Sequence, residues 1–179
     1  MILRLLIFAS FGCLTLLFLL FGRRGGGEIF GKPPIARPLF ILSKACPTLS
    51  LVLLSIAVIK GERNLSLLAA IVFLTVWLAG LLLFTLAFSN LGVNLRVGLP
   101  KEETGLVTSG VYAFSRNPIY LALFCLVGAS LIYAFSWISL VCAAITVILH
   151  HRIVLAEEKY LAGRFREFEE YCRQVRRYL

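Results

Sequence analysis

The sequence predicts an all-α fold, an integral membrane helical bundle of about five transmembrane helices with a C-terminal amphipathic cytoplasmic helix. Three observations predict it. Of 179 residues 60% are hydrophobic and only 15% charged, with a mean hydropathy of +0.92, where soluble domains carry roughly a quarter charged residues. The apolar residues are gathered into long uninterrupted runs, and the charged residues stand at the ends of those runs. The length fits one domain, 1–179, with three spans in 1–88 and two spans plus the tail in 89–179.

The first run, Leu5 to Phe21, follows Arg4 and ends in Arg23-Arg24-Gly25-Gly26-Gly27. No small-x-small cleavage site follows it, so it reads as a retained helix rather than a signal peptide. Residues 22 to 37, with Pro33-Pro34, form a loop. Leu39 to Ile59 is the second span, expected to be short or kinked because Lys44 and Pro47 lie near its start. After the polar turn Lys60 to Asn64, Leu65 to Phe88 gives the third and clearest span.

Residues 89 to 116, with Asn90, Asn94, Arg96, Pro100, Lys101, Glu102 and Glu103, make a long polar connection of the kind that often carries function. Ile119 to Phe135 and Trp137 to Leu149 are spans four and five, joined by the aromatic Tyr133-Ala134-Phe135-Ser136-Trp137, which suits an interfacial hairpin. From Glu157 onward Leu161, Phe165, Phe168, Tyr171 and Val175 recur at steps of three or four, the pattern of an amphipathic interfacial helix.

The charge pattern orients the bundle. Fifteen Lys and Arg fall in the 22–45 loop, the 89–116 loop and the tail from Arg152, against Arg4, Lys60 and Arg63 opposite. The positive-inside rule then places the N-terminus outside and the C-terminus, with the polar loops, in the cytoplasm, which in a bacterium means the inner membrane. The net charge of +9 is dispersed over these ends, with no stripe or motif for nucleic acid. No protein partner is identifiable from the sequence.

The nine acids are all Glu, which excludes Asp-dependent EF-hand, kinase and aspartyl-phosphate chemistry. Cys13, Cys46, Cys125, Cys142 and Cys172 show no CxxC spacing and read as small buried hydrophobes. His150 and His151, adjacent on a helix, point about 100° apart with no third ligand; they read as solvated interfacial residues, and no metal is expected.

Three polar elements converge on one side: the 89–116 loop, the Arg116-Asn117-Pro118 triplet that opens span four, and Arg152 with Glu157-Glu158 where span five leaves lipid. Pro118 suits a first helical turn with Asn117 as its cap, so the triplet has an ordinary reading as a helix start, and the glutamate pair one as a solvated pair. That reading leaves Arg116, Gly110, Tyr112 and Tyr120 unexplained. A close backbone approach, two aromatic faces and a guanidinium fork suit an amphiphilic ligand carrying a carboxylate and a flat ring.

The ordered set Leu106-Val107-Thr108-Ser109-Gly110-Val111-Tyr112, Arg116-Asn117-Pro118-Ile119-Tyr120 and Glu157-Glu158, over about residues 90 to 179, resembles the signature of the isoprenylcysteine carboxyl methyltransferases and related phospholipid methyltransferases. The resemblance implies S-adenosylmethionine as methyl donor, bound by Val107, Thr108, Gly110, Tyr112, Arg116, Asn117, Pro118, Tyr120, Glu157 and Glu158. It implies Arg116 on the donor's carboxylate and the glutamates on its amino or ribose groups. It also implies Arg152 as the group that orients an acceptor carboxylate, with Glu157 beside it in a catalytic or a cofactor role.

The chain departs from the family pattern in places. Asn117 replaces the histidine usual in the prenylcysteine enzymes, Ala122 a frequent glycine, Phe165-Arg166 a Phe-Gly pair and Arg176 a proline. These changes bear on the acceptor more than on the donor. The acceptor is a lipid-like or prenylated small molecule reached from the membrane lipids, best an isoprenylcysteine-type carboxylate; an amine phospholipid, another isoprenoid or a small thiol are alternatives. An NADPH-dependent reductase of the steroid type and a non-enzymatic membrane scaffold remain the rival classes.

Overall fold

The computed structural model describes residues 31–61, 65–99 and 105–179, so the first predicted span, Leu5 to Phe21, and Cys13 lie outside the described residues. The described chain is helical: α1 (Arg37–Lys60), α2 (Leu67–Leu91), α3 (Pro118–Tyr133), α4 (Trp137–Arg164) and the short α5 (Phe168–Gln174), with 3-10 turns at Gly92–Asn94 and Gly110–Ala113. Three of these, α1, α2 and α4, are long and apolar enough to cross a membrane.

The helix boundaries have local causes. Pro38 sits in the first turn of α1, and Gly61, at φ 70°, closes it with an amide bond to the Ala57 carbonyl, a left-handed cap that glycine adopts without Cβ strain. The Ser66 hydroxyl caps α2 by accepting from the Ala69 amide, and Ser136 does the same for α4 from the Ser139 amide. The predicted aromatic hairpin is present between α3 and α4, with the Phe135 and Trp137 rings edge to face at 5.8 Å.

Three expectations are corrected. Of the two expectations for the second span, short or kinked, the first is corrected: α1 runs 24 residues through Pro47. Hydroxyls of Ser43, Thr48 and Ser50 donate to carbonyls of the same helix around that proline, which satisfies these polar side chains inside an apolar helix. The fourth predicted span is only 16 residues long, about 24 Å, short of the roughly 30 Å hydrocarbon layer. The tail is not one amphipathic helix: residues 157–164 continue α4, which is 28 residues long, α5 covers seven more, and the chain leaves the helix at Val175, which is extended.

The packing pairs α2 with α3 and α1 with α4 most extensively. At the hairpin end Leu54 and Val58 of α1, Phe73 and Trp77 of α2, and Leu126, Ala129 and Tyr133 of α3 form a buried cluster, with the Phe73 ring 5.2 Å from Tyr133 and 5.9 Å from Trp77. The opposite end, where α1 and α3 begin and α2 and α4 end, is less filled and holds the polar residues. There the N-terminal loop is pinned to the loop after α2 by an antiparallel bridge, Lys32 amide to Leu99 carbonyl and Leu99 amide to Lys32 carbonyl.

Gly80 sets how closely α2 approaches α3. A Cβ there would lie 3.1 Å from the Cys125 Cβ and 3.2 Å from the Leu126 side chain, and without an apolar-solvent driving force such close contact is what holds membrane helices together. Gly80→Leu is expected to destabilise the bundle by about 1–3 kcal/mol through overpacking, read as a lower Tm of the detergent-solubilised protein. An unchanged Tm would show that the contact is slack.

Candidate functional site

The residues of the Arg-Asn-Pro triplet do something other than start a helix. Asn117 stands at the N-cap of α3, yet its side chain makes no cap bond; its amide donates to Glu158 Oε1 at 2.9 Å and to the Arg177 carbonyl at 3.2 Å. Arg116 places Nε 3.2 Å from Glu158 Oε1 and Nη2 3.4 Å from Oε2, while Nη1 donates to the carbonyls of Cys172 and Val175 at 3.0 and 2.8 Å. Arg177 closes the set, donating from Nε and Nη2 to Oε2 at 3.0 and 2.9 Å.

Glu158 is therefore a carboxylate buried in α4 and met by three side chains from two other segments. Its side chain is 11% exposed and that of Arg116 10%. Burying such a pair is costly unless the remaining donors and lone pairs find partners, and here four of the five Arg116 N–H groups do. The hydrogen bond to Glu158 holds the Arg177 guanidinium above its already high usual value.

The same bonds explain why the chain leaves the helix after Gln174. The carbonyls of Cys172, Val175, Arg176 and Arg177 accept from Arg116, Asn117 and Ser115, which draws the chain out along the loop before α3. Tyr171 ties the other edge, donating to the Tyr112 carbonyl at 2.6 Å; burial pushes its phenol up to about 12, so it stays a neutral donor. Tyr112 itself is buried in the 3-10 turn, which begins at Gly110 with φ 63°. A Cβ at Gly110 would collide with the Asn90 side chain, whose Oδ1 instead accepts from the Val111 amide at 2.9 Å.

Beside this clamp lies a cavity of about 640 Å³, within the roughly 300–1,000 Å³ of small-molecule and cofactor sites. Its walls are mostly apolar, with Leu51 of α1, Phe84 and Phe88 of α2, Ile119 and Leu123 of α3 and Leu161 of α4. Polar groups converge on it from Asn94 and Arg96 of the loop after α2, from Tyr120 of α3, and from Glu157 and Tyr160 of α4. Glu157 accepts from the Tyr120 hydroxyl at 2.8 Å.

Of the residues singled out in the sequence, the structure brings Val107, Tyr112, Arg116, Asn117, Tyr120, Glu157 and Glu158 to this cavity; Thr108, Gly110 and Pro118 shape the backbone around it and are not on its wall. Arg116 has four of its five N–H donors engaged by Glu158 and the tail, so the fork that was assigned to a ligand carboxylate is committed within the chain. Arg152 is not brought to the cavity. Five and six residues before Glu157 and Glu158 place it about 140° and 120° round the helix, where it is exposed along a separate shallow cleft with Ile35, Leu39 and Lys159.

Four groups on or beside the site escaped sequence reading. Lys44, expected only to disturb the second span, lines the cavity, and so does His150, which is 1% exposed rather than solvated. Arg177 and the tail carbonyls complete the clamp. His151, the other expected interfacial histidine, meets the Tyr178 hydroxyl at 2.9 Å. Among the described residues no group of three His, Cys or Glu is placed to hold a metal, and Cys46, Cys125, Cys142 and Cys172 are free thiols.

The signature of the phospholipid methyltransferase family matches residues 69–167, more than half of the chain. The chain belongs to this family. The match runs from the first turn of α2 to the residue before α5, and so takes in the cavity's Tyr112, Arg116, Tyr120 and glutamate pair while leaving out α1 and the tail strap. Family membership and three spanning-length helices together make the protein a membrane protein of a methyltransferase family. Among curated proteins no sequence matches the chain.

The two glutamates separate on stability. Glu158→Ala leaves the buried Arg116 guanidinium unpaired and is expected to cost about 3–5 kcal/mol, a fall in Tm large enough to threaten folding of the solubilised protein. Glu157→Gln keeps an acceptor for Tyr120 and is expected to cost no more than about 1 kcal/mol. Equal losses in the two variants would contradict the division of roles.

Proposed function

We propose that the protein is an S-adenosylmethionine-dependent methyltransferase acting on a lipid-like acceptor, best the carboxylate of an isoprenylcysteine-type molecule. The single observation that carries the reading is the position of Glu157. It is a carboxylate on the wall of an apolar cavity, held by one tyrosine hydroxyl, in a chain of the phospholipid methyltransferase family. The methyl donor supplies an already activated sulfonium methyl group, so the protein needs no acid or base to generate the electrophile.

The donor set fits that cofactor. A carboxylate on a poorly hydrated wall attracts a cationic amino group or pairs with ribose hydroxyls; Tyr112, Tyr120 and Tyr160 offer faces for a flat ring; the loop residues Asn94 and Arg96 offer polar contacts at the same end. In this reading Arg116 and Glu158 do not touch the donor's carboxylate themselves. They fix α4 against the loop before α3, which holds Glu157 and Tyr120 in register, and alignment of donor and acceptor in a dry cavity supplies much of the rate. Asn117 joins that framework as a hydrogen-bond donor and takes no part in proton transfer.

The apolar walls at membrane depth suit an acceptor with a hydrocarbon tail, entering from the lipid. The excess of basic residues in the loops and tail at this end supports a cavity mouth on the cytoplasmic side, where the cofactor is available. Membership of the phospholipid methyltransferase family favours a phospholipid amine as the alternative acceptor.

Purified protein in nanodiscs, incubated with methyl-labelled S-adenosylmethionine and a total membrane lipid extract, is expected to transfer label to a lipid product identifiable by mass spectrometry. Glu157→Gln is expected to weaken S-adenosylhomocysteine binding by about 10- to 100-fold in calorimetric titration, the size of a lost charge-assisted hydrogen bond, without loss of fold. Saturable NADPH binding in the absence of any S-adenosylhomocysteine binding would overturn the reading.

A further inference from the structure

The cavity contains a second polar centre apart from the clamp, with its lysine in electrostatic reach of Glu157. Lys44 of α1 and His150 of α4 face each other across it, Nζ to Nε2 at 3.4 Å. The His150 Nδ1 lies 2.8 Å from the Thr146 carbonyl; a carbonyl only accepts, so Nδ1 carries the hydrogen and Nε2 of the neutral ring presents its lone pair. The ammonium donates one N–H into that lone pair. An acceptor with no charge orients the lysine without cancelling it.

The lysine is also confined. The Phe40 ring lies 5.0 Å from Nζ, and the His150 ring stands 5.6 Å from the Tyr120 ring, whose hydroxyl binds Glu157. Lys44, His150, Tyr120 and Glu157 thus form a continuous polar rail along one side of an otherwise apolar chamber, cationic at one end and anionic at the other. An ionisable group kept inside a membrane-spanning bundle and facing its cavity calls for a ligand or a partner; the imidazole is not a counter-ion, and Glu157 attracts Lys44 from the other end of the rail. With Arg96 at the loop end as a further cation, the chamber carries centres of both signs and suits two ligands of opposite charge.

We propose that Lys44, oriented by His150, is the subsite that holds a singly charged anionic head group of the acceptor, a carboxylate or a phosphodiester, while Glu157 holds the cationic donor. The proposal rests on the methyltransferase reading only for the donor's identity. Lys44 is the specificity residue that contacts the acceptor; His150 is a positioning residue that acts through it. The apolar wall of Leu51, Phe84, Phe88 and Leu123 takes the acceptor's tail. Methylation of a bound carboxylate oxygen forms the O–CH3 bond with an oxygen lone pair as the S–CH3 bond electrons pass to sulfur. No proton moves, the anion becomes a neutral ester, and the ester loses its hold on Lys44, which favours release.

The test uses the full chain in nanodiscs and 11-(dansylamino)undecanoic acid as a fluorescent carboxylate probe, with its methyl ester as the neutral match and protein-free nanodiscs as blank. Wild type is expected to bind the acid at least about tenfold more tightly than the ester, as one desolvated ion pair supports. Lys44→Met is expected to abolish that ratio while leaving ester affinity in place, which also shows that the variant is folded. Lys44→Arg is expected to restore most of it, and His150→Phe to lower it in part.

Competition by dodecyl methyl phosphate distinguishes the two anion sources: displacement of the acid at equal or lower concentration assigns a phosphodiester, and poor displacement a carboxylate. An acid-to-ester ratio unchanged in Lys44→Met, or a wild type that prefers the corresponding amine, overturns the subsite. S-adenosylhomocysteine titration of the same samples separates this from the functional reading. Wild type that discriminates acid from ester without binding S-adenosylhomocysteine sinks the methyltransferase assignment alone, and normal S-adenosylhomocysteine binding with no discrimination sinks the subsite alone.

Discussion

A carboxylate removed from water must find a donor for each of its lone pairs, and the loop end of this bundle is organised around one such group. Glu158 is met by Arg116, Asn117 and Arg177; the first two are anchored in turn by carbonyls of the tail, to which Arg177 belongs. The loop before α3, the end of α4 and the last five residues therefore form one unit. In a bundle whose helices are held mainly by apolar contact, this is the place where a directional, charged interaction fixes helix position to within a fraction of an ångström.

That constraint divides the labour between two adjacent glutamates. Consecutive residues on a helix point about 100° apart, so when Glu158 turns into the clamp, Glu157 faces the cavity with Tyr120 as its neighbour. The clamp also spends Arg116, whose remaining capacity is a single N–H. The chemistry left for a ligand is thus an anion on α4, a lysine with its histidine between α1 and α4, and aromatic and aliphatic walls. A family of methyltransferases working at a membrane needs those elements: a place for a cationic donor, a place for an amphiphile, and exclusion of water.

Much of the fold was legible because lipid makes heavy demands on sequence. Leu65 to Phe88 announces α2 by hydropathy alone, and Ser136, Trp137 and the short hairpin mark where α4 starts. The chemical neighbourhood was legible too, since the spacing of the Arg-Asn-Pro triplet and the glutamate pair places them at one end of adjacent helices. What was not legible depends on contacts between residues far apart in the chain. Asn117 at an N-cap position reads as a cap until a glutamate 41 residues on takes its amide. The tail shows a helical period, yet its carbonyls are claimed by Arg116. His150 reads as a solvated neighbour of His151 until α1 brings Lys44 against it. Arg152 lies away from the cavity for a simpler reason, the angle of a helix, which spacing along the sequence reveals when it is converted to degrees.

The central claim is that Glu158 organises the strap and the loop as one unit while Glu157 is left for a ligand. Hydrogen exchange followed by mass spectrometry on the protein in nanodiscs tests it most directly, comparing wild type with Glu158→Gln over residues 110–117 and 168–178. The account predicts that both segments are protected in wild type and exchange faster together in the variant, while Glu157→Gln leaves both unchanged. Protection that persists in Glu158→Gln, or that is lost equally in Glu157→Gln, would contradict it.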